Sequence, residues 1–102
     1  MSRTTLAVAL AAVVLGTACT DPAVGKTDRE LYEAVCARCH GVDLEGGIGP
    51  ALGPGSRAET LTDDQLRGVI EVGPGAMPSF RRLDDDQVDS LVAYLRRRQR
   101  DR

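Results

Sequence analysis

The run Cys36-Ala37-Arg38-Cys39-His40 governs the reading of this 102-residue chain. Two cysteines separated by two residues, followed at once by the only histidine in the sequence, have the form of a c-type haem attachment site. In such a site each thiol bonds to one vinyl group of the ring, and the adjacent imidazole binds the iron from one face. Adjacency explains the strictness of the pattern. Once both sulfurs are fixed to the porphyrin edge, the next side chain is carried underneath the ring toward the metal. The run therefore predicts one covalent haem c per chain, attached at Cys36 and Cys39 and ligated by His40.

Three other readings of the pentapeptide fit less well. A structural zinc site normally needs four Cys or His ligands, and the one further cysteine, Cys19, lies in a segment expected to be processed. A thiol-redox Cys-x-x-Cys expects a strand-turn-helix context, and no strand pattern precedes Cys36. A Cys36–Cys39 disulfide would close too small a loop to restrain much of the unfolded chain.

The first 18 residues read as a signal peptide. Arg3 is the positive n-region, Leu6 to Leu15 is an uncharged apolar run, and Gly16, Thr17 and Ala18 are small residues leading into Cys19. The apolar run is short for a membrane span. Cys19 after Thr-Ala has the form of a lipoprotein acylation site, with Gly16 where leucine is usual; ordinary cleavage or an uncleaved anchor are the alternatives. Each of these places the mature chain outside the cytoplasmic membrane or in the periplasm. Residues 19–26, with Pro22 and Gly25, read as a tether, and 27–102 as the folded domain.

That domain is small, and small domains often need a covalent or metal staple. With no Trp, one Phe and two Tyr, the chain also lacks the bulky groups that fill such a core. A flat apolar ring would answer both needs, so the haem-free chain is expected to fold poorly. The net charge of −2 gives no basis for nucleic-acid binding. Charge is instead polarised: Asp63-Asp64 and Asp84-Asp85-Asp86 are acidic, and Arg96, Arg97, Arg98, Arg100 and Arg102 form a basic end. Helix dipoles account for both; docking of the basic end on anionic lipid or an acidic partner is the functional alternative.

Thr27-Asp28-Arg29-Glu30 has the form of a capping box, and Leu31, Tyr32, Ala34 and Val35 follow at helical spacing, predicting a helix to about Cys36 or Arg38. From Gly41 to Ser56 the density of Gly and Pro excludes helix and ordinary strand. After a haem site it reads as a loop around the ring edge, with Ile48, Ala51 and Leu52 as its apolar contacts. Thr62-Asp63-Asp64-Gln65 starts a second helix with Leu66, Val69 and Ile70 on one face, stopped by Gly73-Pro74-Gly75. Asp84-Asp85-Asp86-Gln87 caps a third, with Val88, Leu91, Val92 and Leu95 at i, i+3, i+4 and i+7. The expectation is an all-α domain of about three helices.

Met77 lies in the Gly/Pro loop between the second and third of these helices. Core filling explains a methionine on a helix better than one in such a loop, so Met77 is the candidate second iron ligand. A thioether favours ferrous over ferric iron. Iron held on both faces by protein leaves no vacant site for a substrate, which points to electron transfer and away from catalysis.

In order, Cys36-Ala-Arg-Cys-His40, Gly49-Pro50-Ala51-Leu52 and Ala76-Met77-Pro78-Ser79-Phe80 resemble the motifs of the small class I cytochromes c. The likeness extends over about residues 27 to 98 and is greatest to short bacterial and photosynthetic members and to domains of oxidase and dehydrogenase subunits. It implies a small cytochrome c fold wrapped around one haem. It also implies that the Pro50 carbonyl holds the second ring nitrogen of His40, and that Tyr32 faces Leu91 and Tyr94 where first and last helices cross. The chain departs from the family in having no Trp for a haem propionate, leaving Arg57, Arg81 and Arg82 as unsupported stand-ins. Lys26 is its one lysine, so a lysine-ringed docking face is missing.

The resulting expectation is a single-electron carrier with His/Met-ligated haem, partnered by an oxidase, dehydrogenase or other cytochrome and membrane-associated through Cys19. A dedicated subunit of an oxidase or dehydrogenase complex is the alternative. A haem sensor or peroxidase, in which Met77 dissociates, is a further one.

Overall fold

The computed structural model describes residues 20–101; the expected signal segment and Cys19 lie outside the described residues. Four α-helices and one 3-10 turn form, and among the described residues there is no strand. α1 is Asp28–Val35, α2 is Ala37–His40, α3 is Asp63–Val72 and α4 is Asp85–Arg100, with the 3-10 turn at Arg57–Thr60 before α3. The expected all-α architecture is present. The first predicted helix is divided, because Cys36 (φ −111°, ψ −39°) separates α1 from the single turn of α2. The 3-10 turn has no counterpart in the sequence expectation.

α3 and α4 begin as their sequences dictate. The hydroxyl of Thr62 accepts from the Gln65 amide at 3.1 Å, and the Gln65 side chain accepts from the Thr62 amide at 2.9 Å. Asp84 and Gln87 repeat the arrangement at 2.8 and 3.1 Å. Each box satisfies two amides that the helix leaves without partners. α3 ends at Gly73, whose φ of +66° closes the helix in the left-handed conformation.

α1 does not begin with the expected box. Thr27 makes no side-chain cap, and Asp28 takes a positive φ of 57°. The Asp28 amide is satisfied from across the fold, donating to the Ser90 hydroxyl of α4 at 2.9 Å. Aspartate is among the few residues that adopt this backbone readily. Its carboxylate meets Arg97, also on α4.

Residues 20–26 are likewise not a free tether. Asp21 accepts from the Ala23 amide at 2.9 Å, and the turn it forms seats Ala23 at 3% exposure. Gln87 donates to the carbonyls of Ala23 and Lys26 at 2.8 and 3.0 Å, while Arg82 pairs with Asp21 at 2.5 Å. Pro22 and Gly25, read from sequence as signs of looseness, build a turn docked on α4.

α4 is the spine, with α1 and α3 packed against it. Leu31 and Tyr32 of α1 are wholly buried beside Leu91, Tyr94 and Leu95 of α4. The Tyr32 and Tyr94 rings lie 5.2 Å apart at 43°, a tilted geometry that aromatic quadrupoles favour. Leu66 and Ile70 of α3 enter the same core, with Val69 half-buried at its margin.

Most of the basic end is engaged internally. Arg96 bonds Asp63 at 2.8 Å and also reaches the Leu61 carbonyl. Arg97 pairs with Asp28, and Arg98 donates to the Tyr94 hydroxyl at 2.9 Å. These three arginines tie α4 to α1, to its own Tyr94 and to the approach to α3.

Candidate functional site

Cys36, Cys39 and His40 are brought together by one turn of helix. The Cys36 carbonyl accepts from the amides of Cys39 at 3.2 Å and His40 at 3.0 Å. Positions i, i+3 and i+4 share a helical face, so both thiols and the imidazole are presented on one side. Both cysteines are free and half-buried. Burial, and secondarily the neighbouring Cys39, pushes the Cys36 thiol up to about 12, so it is protonated at neutral pH.

His40 is held from the opposite side by the Gly/Pro loop. Its Nδ1 lies 2.8 Å from the Pro50 carbonyl oxygen. A carbonyl can only accept, so Nδ1 carries a proton, and in the neutral imidazole the lone pair then lies on Nε2. Nε2 has no protein partner among the described residues. Gly46 donates to the His40 carbonyl and Gly49 to the Cys39 carbonyl, both at 2.8 Å. The backbone at Gly49 approaches so closely that a Cβ there would lie 2.8 Å from His40 Cε1. That position admits glycine only.

The loop's far end is fixed at Leu52, whose amide donates to the Leu44 carbonyl at 3.0 Å. Leu44 (φ +61°) is the residue this loop buries, at 1% exposure. Of the expected apolar contacts, Leu52 is half-buried against the core, while Ala51 is exposed and Ile48 is 85% exposed. Leu44 escaped the sequence reading because it stands alone between Asp43 and Glu45, with no periodic partner.

Met77 sits on the loop joining α3 to α4, half-buried against the core. Its amide donates to Pro74 at 3.2 Å, and the Gly73 Cβ position lies 2.6 Å from the Met77 carbonyl. Ser79 and Phe80 bond back to Glu71 and Ile70 at 2.6 and 3.0 Å. The loop thus folds onto the end of α3 and holds Met77 at the core's margin. Of the arginines considered for propionate contacts, Arg82 is paired with Asp21.

The donor set suits a covalently attached haem. Two free thiols, an imidazole with Nε2 unpartnered and a thioether occur on one small core, against which half-buried Val35, Cys36, Ala37, Leu52, Leu61 and Met77 pack. Thiols, imidazole and thioether are the side chains that attach and ligate a c-type haem. No three His, Cys, Asp or Glu side chains cluster as a metal cage among the described residues, so a structural zinc site is not built there.

Residues 23–95 match the family model described as cytochrome C oxidase, cbb3-type, subunit III. The dihydro-heme d1 dehydrogenase of Pseudomonas aeruginosa is 46% identical over 68 residues, which is 64% of this chain and 14% of that protein. Cytochrome c-551 of Bacillus subtilis is 33% identical over 74 residues, 72% of this chain and 62% of its own. Among solved structures, dihydro-heme d1 dehydrogenase NirN in complex with DHE superposes with a TM-score of 0.59 at 43% identity, covering 64% of this chain and 14% of that one. The chain therefore spans between 14% and 62% of the length of these relatives.

Proposed function

This chain belongs to the c-type cytochromes, and on that premise we propose that it is a single-electron carrier whose haem c is held by His40 and Met77. When bound, the haem supplies an iron that alternates between ferric and ferrous. Cys36 and Cys39 anchor the ring edge from the α2 turn. His40 presents Nε2, and the Pro50 carbonyl, by holding Nδ1–H, fixes the ring's tautomer and makes it a stronger donor. Met77, on a loop bonded to the end of α3, would supply a thioether as the second ligand. Two protein ligands would leave the iron no vacant position for a substrate, which fits electron transfer better than catalysis.

The observation carrying this reading is the 2.8 Å contact between His40 Nδ1 and the Pro50 oxygen. It leaves the one histidine with a single unpaired nitrogen beside two free thiols. The test is absorbance spectroscopy of both redox states after expression with haem-maturation machinery. The ferric sulfur-to-iron band should be present and should vanish in Met77→Ala; its persistence would refute the assignment of Met77.

We further read the protein as exported and lipid-anchored at Cys19, acting with redox proteins at the outer face of the membrane. No helix among the described residues is long and apolar enough to cross a membrane; an acyl group on Cys19 is the attachment this reading calls for. A second reading, a dedicated subunit of an oxidase or dehydrogenase complex, is favoured by a relative in which the matching region is 14% of a larger chain. Detergent extraction separates the two: a carrier is released alone, a subunit only with its partner.

A further inference from the structure

Gln99 is the one uncharged polar side chain of α4 that is buried, at 2% exposure. It follows Leu91 and Leu95 at successive i+4 steps, so the helix directs it along the same core-facing stripe. Both ends of its amide are satisfied. Arg96 Nη1 donates to its oxygen at 2.8 Å, and its Nε2 donates to the Leu52 carbonyl at 3.0 Å. Arg96 is itself fixed on Asp63, so the amide is held with its N–H toward the loop.

Leu52 stands two residues beyond Pro50. Its amide is bound by the Leu44 carbonyl and its carbonyl by Gln99, so both backbone groups at this end of the loop are tied to other parts of the fold. Between that anchor and Gly49, whose amide is bound to Cys39, lie only Pro50 and Ala51. The position of the Pro50 oxygen is therefore set by two clamps, one at Gly49 and one at Leu52. The second is shared between Leu44, within the loop, and Gln99 of α4, far along the chain from the haem motif.

We propose that Gln99 is a positioning residue for His40: by holding the Leu52 carbonyl it keeps the Pro50 oxygen against His40 Nδ1–H and so sets the donor strength of the histidine. This rests on the reading of His40 as an iron ligand. If the clamp is loosened, the Nδ1–H bond weakens and the imidazole donates less charge. Ferric iron is then less well stabilised, and the reduction potential rises.

The test uses the haem-loaded protein and three variants. Gln99→Glu retains the acceptor for Arg96 but removes the donor to Leu52; Gln99→Met removes both. Leu95→Ala is the control, buried on the same helix without a bond to the loop. Exchange of the His40 Nδ1 proton, followed by NMR, should accelerate on the order of tenfold in both Gln99 variants, with an upward shift in potential. Leu95→Ala should lower the melting temperature while leaving both readouts near wild type. If the Gln99 variants only melt earlier, with exchange and potential tracking Leu95→Ala, Gln99 is structural and the proposal is overturned. Failure of the underlying reading shows separately, in unmutated ferric protein, as His40 ring resonances without paramagnetic shift.

Discussion

The Tyr32 hydroxyl donates to the Gly41 carbonyl at 2.7 Å, joining α1 to the residue that follows His40. Tyr32 has no exposed surface and its ring meets Tyr94, so one side chain couples the α1–α4 crossing to the turn carrying Cys39 and His40. Tyr32→Phe keeps the ring contact and removes the bond. It should cost about 0.5–1.5 kcal/mol and lower the melting temperature by several degrees. Tyr32→Ala should cost about 3–5 kcal/mol, and melting curves of the haem-loaded pair separate the two contributions.

The same hydroxyl makes an alkaline prediction. Burial first, and neighbouring negative charge second, raises the Tyr32 pKa well above the ordinary value of 10.0. Below that value the phenol is neutral in folded and unfolded chains alike. Above it the unfolded chain loses its proton while folded Tyr32 keeps it, so stability falls as pH rises. Wild type should lose more stability between about pH 9 and about pH 11 than Tyr32→Phe does. Parallel losses in thermal melts across that range would show that Tyr32 is not the responsible group.

Helix starts show what was legible in the sequence and what was not. Thr62–Gln65 and Asp84–Gln87 satisfy their amides within four residues, so reading along the chain finds them. Thr27–Glu30 has the same lettering, yet Asp28 bonds to Ser90, a partner that only the α1–α4 packing supplies. The candidate site divides in the same way. Cys36, Cys39 and His40 form one local turn and were readable; the Pro50 contact was expected only through family resemblance and is present at 2.8 Å. The need for glycine at 49 depends on a contact from another segment, which no local pattern encodes. A continued i+4 stripe from Leu91 through Leu95 was the available signal for the burial of Gln99, hidden by its place in an arginine-rich stretch.

That contrast gives a direct measurement. Thr62→Ala and Asp84→Ala each remove a side-chain cap and should cost about 1 kcal/mol. Thr27→Ala removes no cap bond and should change stability by less than about 0.5 kcal/mol. Ser90→Ala leaves the Asp28 amide without its partner and should cost more than Thr27→Ala does. Equal losses at Thr27 and Thr62 in denaturant titrations would contradict the observed start of α1.

Gly49→Ala tests the close approach at the histidine. The added methyl would lie 2.8 Å from His40 Cε1 and 3.0 Å from Nδ1, inside van der Waals contact. Either the imidazole tilts or the loop retreats, and both lengthen the Nδ1–Pro50 bond. Overpacking of this kind costs about 1–3 kcal/mol, so the melting temperature should fall and the yield of haem-loaded protein should drop. The His40 Nδ1 proton should exchange faster as well, separating a displaced histidine from a general loss of stability. Gly55→Ala is the comparison, because its Cβ position meets nothing within 4 Å and its positive φ of 76° carries backbone strain alone. If Gly49→Ala lowered stability no further than Gly55→Ala and left His40 exchange unchanged, the contact between Gly49 and the imidazole would not be what confines the ring.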